Sequence, residues 1–266
     1  MNIMEMIKAK ASGKAYTGNF PDLNRKKKLL DKAKEFAWKE GTEESKYEYP
    51  DGRPLNAFKE ALPIVYPEHN HWADAPSKGA SCDVFVGTCV RAAGISESYP
   101  RGLQEQFEYD HQNFYRKVYR NVAPSTKMKE GDIVMFDYGS GSHTVILGKG
   151  CYYEANLARY FGHTNGSLSR LKDKYYRVVI LRPKNSISLG DKGTQVKRLQ
   201  KYMNWFFRNN PLFPDEMKKK QVVEVDGVFG KDTQKYAIKM REALGMKPKE
   251  GKIGQVAVAK MKAYRK

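Results

Sequence analysis

The chain has 266 residues, of which 40% are hydrophobic and 29% charged; this composition predicts a folded protein with two domains and excludes a disordered one. No run of about 18 apolar residues occurs, so we expect no membrane insertion, and the first 20 residues lack the apolar centre of a secretory signal peptide. The net charge is +18, and residues 184–266 hold most of it, with 20 Lys and Arg against 8 Asp and Glu.

Local patterns predict two helices followed by a group of strands. Apolar residues at helical spacing indicate an amphipathic helix over residues 23–40, and a second helix over 82–93 ends at Gly94. Residues 42–80, rich in Pro, Gly and aromatic residues, are predicted to be irregular. Strands are predicted at 132–136, 143–148, 151–156 and 175–181. Helices followed by a largely antiparallel sheet predict an α+β fold.

A domain boundary is predicted near residue 185, where the last strand ends at Pro183 and a polar stretch follows. The expected domains are therefore residues 1–184 and residues 186–266. The second domain shows a stripe at Leu189, Val196, Leu199 and Met203, then a turn and helix over 225–245 and a third helix over 250–261. This pattern predicts three helices around a small core.

Cys82 is the first candidate for chemistry, because Ser81 is predicted to cap the helix that Cys82 begins. At a helix start the backbone N–H groups and the helix dipole favour a thiolate, although the neighbouring Asp83 carboxylate opposes it. Cys82 lies on the apolar face of its helix, so we expect the sulfur to point toward the sheet. Cys89 and Cys151 lack this context and are predicted to be packing residues.

His143 and a polar residue on the next strand could complete the site. If the turn between the strands pairs His143 with residue 154 or 156, then either Glu154 or Asn156 faces the imidazole directly and the other lies diagonal to it. If the turn is centred on Lys149 instead, Ala155 faces His143. A nucleophile, a base and an orienting group in this order match papain-like catalysis. The alternative is a core cysteine with an unrelated histidine and a surface glutamate.

Three segments carry a family resemblance. The stretches "SCDVFVGTCVRAAGI", "GDIVMFDYGSGSHTVILGKG" and "YYEAN" resemble the NlpC-like cysteine peptidases and the related CHAP amidohydrolases, over roughly residues 79–156. The resemblance implies a papain-like fold and hydrolysis of amide bonds in peptidoglycan, with Cys82 as nucleophile, His143 as base and Glu154 or Asn156 as the third residue. It fits an endopeptidase of the stem peptide or cross-bridge, or an N-acetylmuramoyl-L-alanine amidase.

The sequence also departs from the NlpC pattern. Those enzymes have Asp before the cysteine and Ser-Gly after it, whereas Ser81 precedes Cys82 and Asp83-Val84 follow. Many members also use an upstream tyrosine near the thiol. The candidates for that role are Tyr16, Tyr47, Tyr49 and Tyr66.

The second domain has its own resemblance. "LGDKGTQVKRLQ" followed by "DGVFGKDT" is similar to the peptidoglycan-binding three-helix domain, over residues 187–262. The resemblance implies ligand contacts around the second motif, at Asp226, Gly227, Phe229, Gly230 and Thr233. The departures are Ala257, where a Thr is usual, and the long insert 207–224.

Together the two resemblances predict a peptidoglycan hydrolase with the domain plan of a phage endolysin. Such a protein is expected to be made in the cytoplasm without a signal peptide and to reach the wall through a separate pore. Its expected partners are peptidoglycan and anionic wall polymers. The alternatives are a non-catalytic wall-binding protein and a nucleic-acid binder driven by charge, although no interleaved aromatic and basic motif supports the latter.

We predict no cofactor and no metal. His69 and His71 form the alternative metal site, but no Cys or carboxylate cluster with ligand spacing accompanies them. His111 and His163 lie in polar stretches and are predicted to be surface residues.

Overall fold

The computed structural model describes residues 15–37, 57–67, 81–156, 160–166, 168–219 and 221–264. The chain divides into two compact units. One comprises Arg25–Pro183; the other combines Met1–Asn24 with Lys184–Lys266. The expected first domain, residues 1–184, therefore differs at its start, because the described residues before Arg25 pack with the C-terminal part of the chain.

The unit Arg25–Pro183 is an α+β unit in which helices precede an antiparallel sheet. Its helices are α1 (Arg25–Phe36), α2 (Ala57–Val65), α3 (Cys82–Ala92) and α4 (Leu103–Glu108). Its strands are β1 (Phe114–Val122), β2 (Ile133–Asp137), β3 (Ser142–Leu147), β4 (Tyr152–Asn156), β5 (Tyr160–Gly166) and β6 (Tyr175–Pro183). The strand order is β1-β6-β2-β3-β4-β5.

Side-chain alternation gives the sheet two buried faces. One face, which includes Ile133, Met135 and Ile146, packs against α1, α2 and α3. The other face includes Val134, Phe136, Val145 and Leu147, and it packs against residues near the 3₁₀ helix Leu168–Lys172. Burial on both faces explains why the central strands read as almost continuous apolar runs.

The predicted helices and strands are confirmed, with changes at their ends. The helix expected over 23–40 spans Arg25–Phe36 and buries Leu29, Ala33 and Phe36, as its apolar stripe predicts. Helix α3 ends at Ala92, and Gly94 follows with a φ of 63°, a conformation that glycine adopts without strain.

The unpredicted elements of this unit include α2, α4, β1 and β5. Helix α2 lies within the stretch expected to be irregular, and it contains Pro63 in its interior. Strand β1 is an edge strand whose sequence, FYRKVYRNV, is largely exposed and charged. Strand β5 continues the sheet beyond β4. The prediction that all of residues 42–80 are irregular is therefore wrong for Ala57–Val65.

The second unit is helical, with one small pair of strands. Its elements are β7 (Ser186–Ile187), α5 (Thr194–Asn209), α6 (Asp215–Lys219), α7 (Lys231–Ala243), β8 (Ile253–Gly254) and α8 (Gln255–Tyr264). The predicted core positions Val196, Leu199 and Met203 are buried, but Leu189 is 50% exposed and precedes α5. Helix α6 forms part of the long insert.

The second unit also includes residues from the start of the chain. Tyr16 and Leu23 are buried in its core. The Tyr16 ring packs edge-on against Tyr202, with 5.2 Å between ring centroids. Within the residues that the structure describes, no helix is long and apolar enough to cross a membrane.

Candidate active site

Cys82 is the first residue of α3, as the sequence predicts. The expected cap differs in detail: Ser81 occupies the N-cap position, but its side chain makes no capping hydrogen bond. A residue from another helix stabilises the first turn instead: the buried Gln106 amide of α4 donates to the Asp83 carbonyl at 2.9 Å. The Phe85 N–H donates to the Ser81 carbonyl and closes the turn at 3.0 Å. These contacts fix the backbone that carries Cys82.

His143 lies one residue into β3, opposite Phe136 of β2. The two rings pack edge to face with centroids 5.6 Å apart. This contact restricts the rotation of the imidazole and covers part of it with an apolar surface. His143 is buried, with 8% of its residue area exposed.

Glu154 supplies the carboxylate that contacts His143. Strands β3 and β4 pair through Ile146↔Tyr153 and Leu147↔Tyr152, so the turn is not centred on Lys149. Continued toward His143, this register sets Asn156 opposite and Glu154 diagonal. His143 Nε2 and Glu154 Oε2 form a hydrogen-bonded ion pair. The side chain of Asn156 lies outside what the structure describes.

Cys82, His143 and Glu154 interact electrostatically. Burial alone lowers the pKa of His143, because it disfavours the imidazolium. Hydrogen bonding to Cys82 and Glu154, together with the charges of these groups, outweighs burial and raises the pKa from 6.5 to about 9. At neutral pH the imidazole is therefore mostly protonated. Glu154 engages Nε2, which leaves Nδ1 as the ring nitrogen that can exchange a proton with the thiol.

The other two cysteines have different surroundings. Cys89 is fully buried among apolar side chains, and burial raises the pKa of its thiol well above the ordinary value. Cys151 is partly exposed in the turn between β3 and β4. Cys82 retains 8% of its surface area, whereas Cys89 is fully buried.

Residues near the 3₁₀ helix Leu168–Lys172 also border the site, although no sequence pattern marks them. The Arg170 guanidinium lies 5.6 Å from the centroid of Phe136, the ring that contacts His143. Arg170 also interacts with the hydroxyls of Tyr152 and Tyr175, where it opposes the effect of burial on the pKa of each. These residues form a polar and aromatic border beside His143 and Glu154.

Two of the four tyrosines considered as neighbours of the Cys82 thiol make other contacts. The buried Tyr66 hydroxyl donates to the carbonyls of Tyr99 and Pro100, at 3.1 and 3.3 Å. Gly87 permits this placement, since a Cβ there would lie 2.2 Å from the Tyr66 hydroxyl. Tyr16 packs in the other unit. Tyr47 and Tyr49 fall outside the described residues.

The residues predicted to bind ligand in the second unit mostly build a turn. Gln200 donates to Asp226 Oδ1 at 2.7 Å and accepts from the Gly227 N–H at 2.8 Å. Phe229 is fully buried, and its side chain packs in the core of the second unit. Thr233 is also buried and donates to the Val228 carbonyl. Gly230 is the N-cap of α7.

The remaining histidines show no ligand geometry where they are described. His111 accepts a hydrogen bond from the Asn113 N–H at Nδ1, and its ring stacks on Tyr109. The backbone register sets His163 of β5 opposite Glu154. His69 and His71 lie outside the described residues. Within the described residues, no group of three or more His, Cys, Asp or Glu side chains could hold a metal ion.

Comparisons with known proteins identify no family for this chain. No protein-family model and no curated protein matches the chain. Among solved structures, the chain is similar to the crystal structure of a periplasmic domain of the EpsAB fusion protein of the Vibrio vulnificus type II secretion system. The identity is 14% and the TM-score 0.23, over 57% of this chain and 65% of that one, so the match spans less than two thirds of that structure. A similarity of this size supports no inference about fold or function.

Proposed function

We propose that the unit Arg25–Pro183 is a cysteine-dependent amide hydrolase of papain-like design that cleaves peptidoglycan. The observation that carries the proposal is the meeting of Cys82 from a helix start with His143 and Glu154 from adjacent strands. A positively charged imidazole stabilises a neighbouring thiolate, which is the reactive form of cysteine. A buried carboxylate on the far ring nitrogen orients the imidazole and balances its charge.

In the proposed reaction the Cys82 thiolate attacks the carbonyl carbon of the scissile amide and forms a C–S bond. The tetrahedral intermediate then collapses, the C–N bond breaks, and His143 transfers its proton to the leaving amine. Water attacks the resulting thioester while His143 accepts a proton. The C–S bond breaks, and the carboxylate product and Cys82 are released. The backbone N–H of Cys82, at the helix start, is suited to stabilise the oxyanion.

The substrate class rests on the two sequence resemblances and on charge. Both resemblances concern peptidoglycan. Residues 184–266 carry a net charge of +12, from 20 basic and 8 acidic residues, which favours contact with anionic wall polymers. We propose that this second unit, a three-helix wall-binding domain, holds the hydrolase on its substrate, which raises the local substrate concentration.

Wall lysis by matched variants tests the proposal. Cys82→Ala is expected to reduce the rate of turbidity loss of isolated walls by about 10³-fold or more, because the nucleophile is gone. Cys151→Ala removes a more accessible thiol outside the site and is expected to retain the wild-type rate. Equal lysis by Cys82→Ala and wild type would leave the non-catalytic wall-binding protein as the better description.

Mass spectrometry of the wall digest identifies the bond. New N-terminal alanine on peptides free of muramic acid would indicate the muramoyl-L-alanine amidase. New termini within the stem peptide or the cross-bridge would indicate an endopeptidase.

A further inference from the structure

A groove of about 620 Å³ lies within the second unit and includes none of the predicted site residues. One wall is the segment 18–24, and the other is formed by α5 and α8. We call it the terminal groove; the lining residues that matter here are Phe20, Arg198, Gln255, Val258 and Lys262. Its volume is in the range of sites that bind small molecules or short peptides.

The wall made by residues 18–24 is fixed by contacts to both helices. The Asp22 N–H donates to Gln195 Oε1 of α5 at 2.7 Å. The Gln255 amide of α8 donates to Asn24 Oδ1 at 2.8 Å. Buried Leu23 anchors the segment in the core. The groove is therefore formed before any ligand arrives, which lowers the entropy cost of binding.

Two cations line the groove, the half-buried Arg198 and the exposed Lys262. Among the described residues, no carboxylate forms an ion pair with either of them. The groove is also lined by Asp22, whose Oδ1 accepts a hydrogen bond from the Asn24 N–H at 3.2 Å. The two cations outnumber this one carboxylate, so the groove is suited to a carboxylate or phosphate group from a ligand.

Beside these cations lies an apolar surface. Phe20 is partly buried and Val258 almost fully buried, and both face the groove. Two cations next to an apolar patch suit one terminal carboxylate with a small apolar side chain. A phosphate polymer would require cations repeated along its length.

We propose that the terminal groove binds a peptide that ends in a free carboxylate after a small apolar residue. That the natural source is a stem peptide of the wall rests on the proposed function; the peptide chemistry rests on the groove itself. The site is composite, since Phe20 comes from one end of the chain and Lys262 from the other.

Calorimetry on the full chain tests the assignment, with Cys82→Ala as background so that no probe is consumed. The probes are a short synthetic peptide ending in alanine with a free carboxylate and the same peptide as its C-terminal amide. We expect the amide to bind about tenfold more weakly or worse, which corresponds to about 1.4 kcal/mol. The double variant Arg198→Gln and Lys262→Gln should bind the carboxylate peptide at least about tenfold more weakly than the unchanged groove does. Its affinity for the amide peptide should be unchanged.

The matched control is Arg208→Gln with Lys247→Gln, which removes the same charge from exposed positions of the same unit outside the groove. It should change the affinity less than about twofold, because exposed charges are screened by salt. Lys262→Gln alone changes an exposed position, so it is expected to fold even if the double variant does not. It should lower the affinity for the carboxylate peptide by a smaller factor.

Three results would overturn the inference: no binding of the carboxylate peptide, equal binding of both peptides, or equal losses in the groove and control variants. Binding of poly(glycerol phosphate) that is lost in the groove variant, without peptide binding, would make a phosphate polymer the occupant instead. The proposed function fails separately. If the wild-type protein binds the peptide in the terminal groove but hydrolyses no wall, the proposed hydrolase activity is refuted and the proposed peptide binding stands.

Discussion

Glu154→Gln is expected to lower the pKa of His143 and to move the alkaline limb of activity toward neutral pH. Burial opposes the imidazolium, so its pKa of about 9 depends on hydrogen bonds and charge from Cys82 and Glu154. Glutamine is nearly isosteric and keeps an acceptor oxygen, but it removes the negative charge. The substitution therefore tests the electrostatic contribution of Glu154 with little change in packing.

The size of the effect follows from the pKa of His143. The rise from 6.5 to about 9 corresponds to roughly 3 kcal/mol. Because Cys82 and Glu154 share this stabilisation, we expect loss of the Glu154 charge to lower the pKa by about one pH unit, or roughly 1 kcal/mol. A raised histidine pKa stabilises the folded state fully below pH 6.5, and this contribution is lost as pH rises through about 9.

Hydrolysis of soluble wall fragments, measured from about pH 6 to pH 10, reports the alkaline limb. An NMR titration of the His143 ring gives the pKa directly. Glu130→Gln is the control, since Glu130 pairs with Lys26 on the surface and does not contact the site. An alkaline limb and a His143 titration that are the same in wild type and Glu154→Gln would refute the electrostatic role of Glu154.

Other predictions concern stability and wall contact. Asp132→Ala should lower the free energy of unfolding by about 3 kcal/mol in urea titrations, since it leaves Arg182 without its bidentate carboxylate partner; a loss below about 1 kcal/mol would contradict this. A fragment of residues 184–266 should gain thermal stability when a synthetic peptide of residues 15–24 is added, because Tyr16 and Leu23 then regain their buried positions; an unchanged melting temperature would show that the segment is dispensable. Raising the salt concentration should weaken sedimentation of the full chain with isolated walls, because it screens the +12 charge of residues 184–266; salt-independent sedimentation would assign wall binding to uncharged contacts.

The sequence predicted those elements whose burial is regular. The strands of the sheet centre are apolar on both faces, and α3 shows its start and stop in the sequence. Strand β1 escaped prediction because it is an edge strand whose charged residues face solvent, so no alternation marks it. Helix α2 was missed because Pro63 and its irregular surroundings argued against a helix.

The candidate site was predictable in part. Cys82 and His143 follow from a helix start and a strand start, Glu154 follows from pairing across the turn, and the structure brings the three together. The sequence left Glu154 and Asn156 as alternatives, because strand register depends on turn geometry that composition alone does not fix. Arg170 and Gln106 carry no local pattern, since their positions depend on tertiary packing. The place of residues 15–24 in the second unit is likewise a long-range property.

That arrangement sets an order of events during synthesis. The segment 15–24 leaves the ribosome early, but its contact on α5, between Asp22 and Gln195, is 173 residues away in sequence. At about 5–20 residues per second, this partner emerges roughly 9–35 s later. Meanwhile the whole of Arg25–Pro183 can fold as an insert between the two ends of the second unit. The aromatic segment around Tyr16 and Phe20 is therefore available to chaperones until the last part of the chain is made.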